Sequence, residues 1–347
     1  MGFEALELKD FRRYDYLQLS IEPPGLAWIG PNASGKTSLL EAIQKIALLR
    51  GFGREEEVLR WGTASYRLRA RLTEGLVEVY YERQKGTRLL WEGSPIQPLA
   101  QWIGRLPVVT LRPADIHWLE GGGMERRRWA DRLLSQLSPA YLEALSLYQR
   151  ALAQRNALLN TPSPTPLQLE PWEEQLIVHG IFLQKARLAL AEQLNEALRD
   201  FYAFFGPERP SLTYRLSSSP SPQAWRRSWD TLRPKELQRK HTLLGPHQED
   251  FVLYLEGKPA RGYASEGQKK SLLLALKWAE VALFCQRGKA PILLLDDIGE
   301  KLDAQRLQAV ARLSRLALQT FLTDVEEQRI ARAFPDLPRR RMEELAQ

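Results

Sequence analysis

The first residues of the chain alternate apolar and polar side chains with a period of two. Phe3-Glu4-Ala5-Leu6-Glu7-Leu8 and Leu17-Gln18-Leu19-Ser20-Ile21 follow that rule, as do Leu68-Arg69-Ala70-Arg71-Leu72 and Val77-Glu78-Val79-Tyr80-Tyr81. Alternation of this kind predicts half-buried strands of an antiparallel sheet. Leu26-Ala27-Trp28-Ile29 is instead a short apolar run, as expected of a buried strand. Pro107-Val108-Val109-Thr110-Leu111 reads as another. Pro291-Ile292-Leu293-Leu294-Leu295 is apolar throughout, which implies a parallel sheet covered on both faces.

From Glu125 the period becomes helical. Trp129, Leu133 and Leu137 share one face, and Ser138-Pro139 reads as a cap followed by Pro in the first turn. Tyr141, Leu145, Tyr148 and Leu152 continue as a second stripe. Thr161-Pro162-Ser163-Pro164-Thr165-Pro166 excludes helix and predicts a stiff turn. Beyond it, Leu176, Ile177, Phe182, Leu183, Leu190, Leu194, Leu198 and Phe201 predict a long helix ending near Gly206-Pro207, antiparallel to the one before. Ser217 to Pro222 is a loop of low complexity. This pattern divides the chain into 1–115, an inserted helical lobe at 116–235, and a C-terminal part at 236–347.

Composition adds little to the picture. The 347 residues can bury a substantial core. Lys and Arg number 49 against 42 acidic residues, a net charge of +7 that permits a polyanionic partner without requiring one. The single Cys285 excludes an internal disulfide and suits a reducing compartment. The longest apolar stretch, 272–284, is broken by Lys277 and Glu280, and the N-terminus carries charge where a signal peptide needs an apolar run. The expectation is a soluble, cytoplasmic protein with no membrane role.

Gly30-Pro31-Asn32-Ala33-Ser34-Gly35-Lys36-Thr37 carries the chemistry. It sits between a predicted strand and the predicted helix Ser38-Leu39-Leu40-Glu41-Ala42-Ile43, the context a phosphate-binding loop requires. Backbone N–H groups in such a loop point at phosphate oxygens, and the helix adds its positive end. Lys36 would reach the β- and γ-phosphates of ATP, and Thr37 would offer its hydroxyl to Mg²⁺. Asp296, at the carboxyl end of the apolar run, would hold Mg²⁺ opposite Thr37, and Asp297 would orient the attacking water and take its proton. Ser265-Glu266-Gly267-Gln268, shortly before that strand, reads as a second anion site at a helix N-terminus, with Ser265, Gly267 and Gln268 as its functional positions.

The order of these elements resembles that of ATP-binding-cassette ATPases. In that architecture the Ser-x-Gly-Gln element faces the γ-phosphate on a partner subunit, so the resemblance implies a homodimer with two composite ATP sites. Glu300-Lys301-Leu302-Asp303 lies where such proteins place a loop crossing the interface. With these residues in place, the chain resembles the RecF family, bacterial recombination-repair ATPases related to SMC heads. Phe11-Arg12-Arg13-Tyr14 is similar to the family's opening Phe-Arg-x-Tyr, which brings Arg12 to the nucleotide. Glu125-Arg126-Arg127-Arg128 with Asp131, then Gln154-Arg155-Asn156, and Thr242-Leu243-Leu244-Gly245-Pro246-His247 fall in the family's order.

The resemblance implies an α/β fold, an ABC-type (SMC-head-like) P-loop ATPase lobe with a flanking antiparallel sheet and an inserted helical lobe. It also implies an ATP-bound homodimer that clamps double-stranded and gapped DNA, weak DNA-stimulated hydrolysis, and cooperation with RecR and RecO in loading recombinase. Ala33 stands where the family often has Gly, which implies a stiffer loop. No His follows the strand Leu318-Gln319-Thr320-Phe321-Leu322, so Thr323 or Asp324 would sense the γ-phosphate. Arg67, Arg69 and Arg71 on one predicted strand, with Arg126, Arg127 and Arg128, are candidate phosphate contacts on DNA. Two other functions compete: the energy-coupling ATPase of a transporter, and a scaffold that binds ATP without hydrolysing it. A transporter subunit would place Ser-x-Gly-Gln nearer the phosphate loop and supply a switch His.

Overall fold

Alternation in the N-terminal residues resolves into strands β1 (Phe3–Phe11) and β2 (Tyr14–Ser20), then the fully buried β3 (Gly25–Ile29). This is a computed structural model, which describes residues 1–52, 54–299 and 302–345. Helix α1 (Lys36–Leu48) and the short α2 (Glu55–Val58) follow, then β4 (Ser65–Leu72), β5 (Gly75–Glu82), β6 (Gly86–Trp91), β7 (Ser94–Pro95) and β8 (Val108–Leu111). The chain then runs through α3 (Ile116–Glu120), α4 (Gly123–Leu137), α5 (Pro139–Leu159) and α6 (Pro166–Tyr202). Next come β9 (Pro210–Arg215), α7 (Pro222–Arg239), β10 (Asp250–Leu255), β11 (Lys258–Pro259), α8 (Ala260–Tyr263) and α9 (Glu266–Gln286). It closes with β12 (Ile292–Leu295), α10 (Ala304–Ser314), β13 (Gln319–Asp324), α11 (Glu327–Ala333) and β14 (Arg339–Arg341).

Two units result, one of 1–115 with 273–347 and one of 116–272. In the first, the alternating strands form a six-stranded antiparallel sheet, β2-β1-β4-β5-β6-β7. The apolar runs form a five-stranded parallel sheet, β14-β3-β13-β12-β8. Helix α1 touches β12, β13 and β8 of one sheet and β4 and β5 of the other. That double contact is why eleven of its thirteen residues are buried, Glu41, Gln44 and Lys45 of its polar stripe among them. Leu39, Leu40, Ile43 and Ile46 fill the core together with Trp28, which stacks on Phe321 at 5.8 Å between ring centres.

The second unit is built on α5 and α6, joined by the Pro-rich turn at 160–165 and lying side by side. Ser138 caps α5 by accepting from the Tyr141 amide, with Pro139 in the first turn. Buried between the helices, Arg155 is ion-paired to Glu173 at 2.8 Å and Glu236 at 2.6 Å. This unit extends past the sequence boundary at 235, through 272. The reason is strand pairing: β9 forms an antiparallel sheet with β10 and β11, so 236–272 stays with the insertion. Among the described residues, no helix is long and apolar enough to cross a membrane.

Candidate nucleotide site

All five strands of the parallel sheet run the same way, so the segments after β3, β12 and β13 emerge at one edge. The loop after β3 is the Gly30–Thr37 stretch. Gly35 adopts φ 100°, and a Cβ there would lie 2.5 Å from Arg13 Cδ and 2.7 Å from the Tyr14 hydroxyl. Ala33 also lies in the left-handed region, at φ 62°, where a side chain costs roughly 1–2 kcal/mol. The loop thus keeps its shape without a Gly at that position. Two side chains from the β1–β2 hairpin grip it: Arg13 donates to Ala33 O at 2.8 Å and Tyr14 to Gly35 O at 3.2 Å. Burial pushes the Tyr14 phenol up to about 12, so it remains a donor at neutral pH.

Lys36 Nζ donates to Gly30 O at 2.7 Å and Pro31 O at 2.9 Å and lies 4.0 Å from Asp297 Oδ1. Ser34 Oγ is shielded from solvent and has no hydrogen-bond partner among the described residues. A loop with an arched backbone, a folded-back ammonium and an unused hydroxyl fits a polyphosphate. Thr37 Oγ1 donates to Asp296 Oδ1 at 2.9 Å, and Thr323 Oγ1 donates to the same oxygen at 2.7 Å. Hydroxyl and carboxylate oxygens are the donor set a hard divalent cation such as Mg²⁺ prefers. Asp297 follows with φ 44°, its amide donating to the Thr323 carbonyl and hydroxyl at 3.1 Å each. A non-glycine residue held there is the kind of backbone strain that clusters at functional sites.

Asn32, Ala33, Ser38 and Asp297 line one cavity of about 440 Å³ with Arg12. Arg12 is held in place by Glu41 at 2.7 and 3.1 Å and by Glu57 O at 2.6 Å. The sequence names Thr323 or Asp324 as the sensor, and the two differ in geometry. The Asp324 carboxylate accepts from the amides of Gly299, Val325 and Glu326, which secures the turns around it. Thr323 alone of the two bonds to Asp296.

Ser265, Gly267 and Gln268 belong to the inserted unit. Ser265 Oγ accepts the Gln268 amide at 3.3 Å and Gln268 Oε1 accepts the Ser265 amide at 2.8 Å, a capping box that starts α9. Gln268 Nε2 also donates to Glu208 at 2.7 Å. The element is therefore a structural cap as well as a helix N-terminus. Asp303 caps α10 by accepting from the Arg306 amide at 2.9 Å. Glu300 and Lys301 of the same loop lie outside the described residues.

The arginine candidates divide. Arg126 is buried, with its guanidinium forked on Asp250 at 2.7 and 2.8 Å and donating to two backbone carbonyls. It is an anchor between α4 and β10, which corrects its reading as a DNA contact. Arg127 donates to Glu249 O at 2.8 Å. Arg67 and Arg69 pair with Glu7 and Glu78 across the strands, so much of their charge is neutralised. Arg71 and Arg128 are more than half exposed, with Glu92 and Glu125 as their partners.

Sequence reasoning missed how the hairpin grips the loop, the Arg12–Glu41 pair, and Trp61, a fully exposed indole on the cavity rim. Trp61 lies on no apolar stripe. Its only sequence signal is an aromatic residue directly before a Gly in a polar turn.

Two sheets packed on α1, the Gly30–Thr37 loop between β3 and α1, and an Asp pair at the end of β12 in the parallel sheet define an ABC-type ATPase head of the SMC kind. No protein-family model matches the chain. It is 36% identical to the DNA replication and repair protein RecF of Heliobacterium modesticaldum, over 93% of this chain and 92% of that one. Identity to RecF of Prosthecochloris aestuarii is 33%, over 94% of each. The chain belongs to the RecF family. A solved structure of the recombination mediator protein RecF with ATP, in the RecFOR pathway, superposes with a TM-score of 0.86. It is 26% identical, and the match covers 94% of this chain and 92% of that one. An Smc head bound to the C-terminal winged-helix domain of ScpA shares the fold alone. There the TM-score is 0.52 and identity 14%, over 95% and 91% of the two chains.

Proposed function

We propose that this chain is an ATP-dependent DNA-binding protein of recombinational repair, a homodimeric clamp closed by ATP and released by slow hydrolysis. One observation carries the reading: Lys36, Thr37, Asp296 and Asp297 converge at one sheet edge beside the loop. Loop amides and Lys36 take the polyphosphate of ATP. Thr37 and Asp296 would hold Mg²⁺, which when bound would neutralise charge on the polyphosphate. Thr323 fixes the Asp296 carboxylate, and Asp297 orients the attacking water and accepts its proton. Ser265, Gly267 and Gln268 complete the site on the partner's nucleotide, through the N-terminal dipole of α9.

The RecF–ATP structure and its place in the RecFOR pathway support ATP as the ligand and RecR with RecO as partners in loading recombinase. DNA phosphates would meet exposed arginines such as Arg71 and Arg128, giving affinity that falls with salt. The test is binding to gapped duplex DNA with and without ATP–Mg²⁺, with molecular mass recorded by light scattering. ATP-dependent dimers that bind DNA more tightly are expected. Dimers indifferent to DNA would overturn the clamp and favour a scaffold or a transporter ATPase.

A further inference from the structure

We propose that Trp61 is the platform on which the base of the bound nucleotide stacks. This rests on the reading of the loop as an ATP site and deepens it. The cavity beside the phosphate loop, at about 440 Å³, falls in the size range of small-molecule sites. Its phosphate end is the loop itself. Away from the loop it is lined by Arg12, Arg13, Glu57, Leu59, Trp61 and Asp297, and Trp61 is the single aromatic among them.

Trp61 is 100% exposed, the extreme among the large apolar side chains of the described residues. A lone, fully solvated indole is an unusual use of the largest apolar side chain. The backbone beneath it is built to hold it out. Thr63 closes a turn with its amide and hydroxyl on Arg60 O at 3.1 and 2.8 Å, and Gly62 takes φ +83°. That is the geometry of a turn with its glycine at the third position, which leaves Trp61 at the second, outward corner.

The same turn is stitched to the hairpin that grips the phosphate loop. Arg12 N donates to Val58 O at 2.7 Å and Arg60 N to Asp10 O at 3.1 Å, and Leu59 bridges Phe11. Arg60 is also paired with Asp15 at 3.0 Å. The β1–β2 hairpin therefore sets the position of the phosphate loop, through Arg13 and Tyr14, and of Trp61, through residues 58–60. Phosphates and base of one ligand would be received by parts fixed to a common frame. A flat aromatic face suits a nucleobase because every base has a π-face.

The experiment is calorimetric titration of the full chain with ATP–Mg²⁺ and, separately, with inorganic tripolyphosphate–Mg²⁺. Trp61→Ala should weaken ATP binding about 5- to 150-fold, the range for losing one base–aromatic stack, and leave tripolyphosphate affinity unchanged. Trp61→Phe should recover most of the ATP affinity. Equal losses for both probes would assign Trp61 to loop structure and overturn the proposal. So would an unchanged ATP affinity in Trp61→Ala, including the case in which that variant loses gapped DNA instead. Failure of the unsubstituted chain to bind either probe would refute the ATP site itself, a result distinct from selective failure at Trp61.

Discussion

Thr323 Oγ1 donates to Asp296 Oδ1 at 2.7 Å and itself accepts the Asp297 amide at 3.1 Å. The two strands carrying these residues are adjacent, with Leu295 opposite Leu322, so one buried hydroxyl fixes the Asp296 carboxylate and the Asp297 backbone. Thr323→Val keeps the shape and deletes the hydroxyl. Leaving buried groups unpaired costs about 1–3 kcal/mol, or roughly five- to a hundredfold if it falls on the chemical step. Single-turnover ATP hydrolysis should slow by that factor while ATP affinity changes less. Unchanged turnover would remove Thr323 from the mechanism.

Lys36 is 4% exposed and its ammonium is held on two carbonyls of the loop, ready to transfer to an anion. Lys36→Ala deletes a buried charge-assisted contact, worth about 2–5 kcal/mol when its partner is charged. ATP binding should weaken roughly 30-fold or more by calorimetry. The ATP-dependent dimer should disappear, with the fold intact by circular dichroism. A normal ATP-dependent dimer in this variant would refute the phosphate role.

His247 gives the inserted unit a pH dependence of its own. Its Nδ1 faces the Tyr148 hydroxyl at 2.6 Å and its Nε2 the Thr242 carbonyl at 3.0 Å, a pairing that suits the neutral ring. Burial pulls its pKa down to about 4 from the usual 6.5. The unfolded chain therefore binds a proton that the folded chain refuses between those values. Stability should be full above about pH 6.5 and fall by about 3 kcal/mol as pH drops towards 4. Denaturant midpoints across pH 4 to 7 measure this, and His247→Gln should flatten that part of the profile. An equally steep profile in the variant would assign the effect elsewhere.

What could be read from the sequence was local. Gly35, Lys36 and Thr37 lie between a strand and a helix within a few residues, and Asp296-Asp297 ends its own apolar run. What could not be read was the identity of distant partners. Arg126 looks like a free cation until Asp250, 124 residues away, is found opposite it. Arg67 and Arg69 meet Glu7 and Glu78 only because three strands align in register. Residues 236–272 belong to the insertion because β10 pairs with β9, and a strand pattern does not name its neighbour. Trp61 has no periodicity to betray it.

Ser265 is exposed and caps α9, so Ser265→Arg tests a contact made in trans more than the fold. Loss of the cap costs about 1 kcal/mol, a modest fall in thermal stability. ATP affinity of the monomer should persist while a bulky cation blocks the ATP-dependent dimer, measured by calorimetry and light scattering. Loss of ATP binding itself would show that Ser265 acts in its own chain's site.

Asp297 is the residue best placed to handle the water. It follows Asp296 at the sheet edge, with its backbone fixed in a strained conformation by Thr323 and its carboxylate 4.0 Å from Lys36. Asn preserves size and hydrogen bonding but cannot take a proton. Asp297→Asn should therefore bind ATP about as well as the parent chain while losing roughly 10²–10⁴-fold in hydrolysis, the usual share of a general base. If the proposed clamp closes on binding and opens on hydrolysis, the ATP-bound dimer should accumulate and its lifetime on gapped DNA should lengthen. Light scattering over time after a single ATP addition gives the result directly. A dimer that decays at the parental rate would show that another group accepts the proton, and would leave Asp297 to hold Lys36.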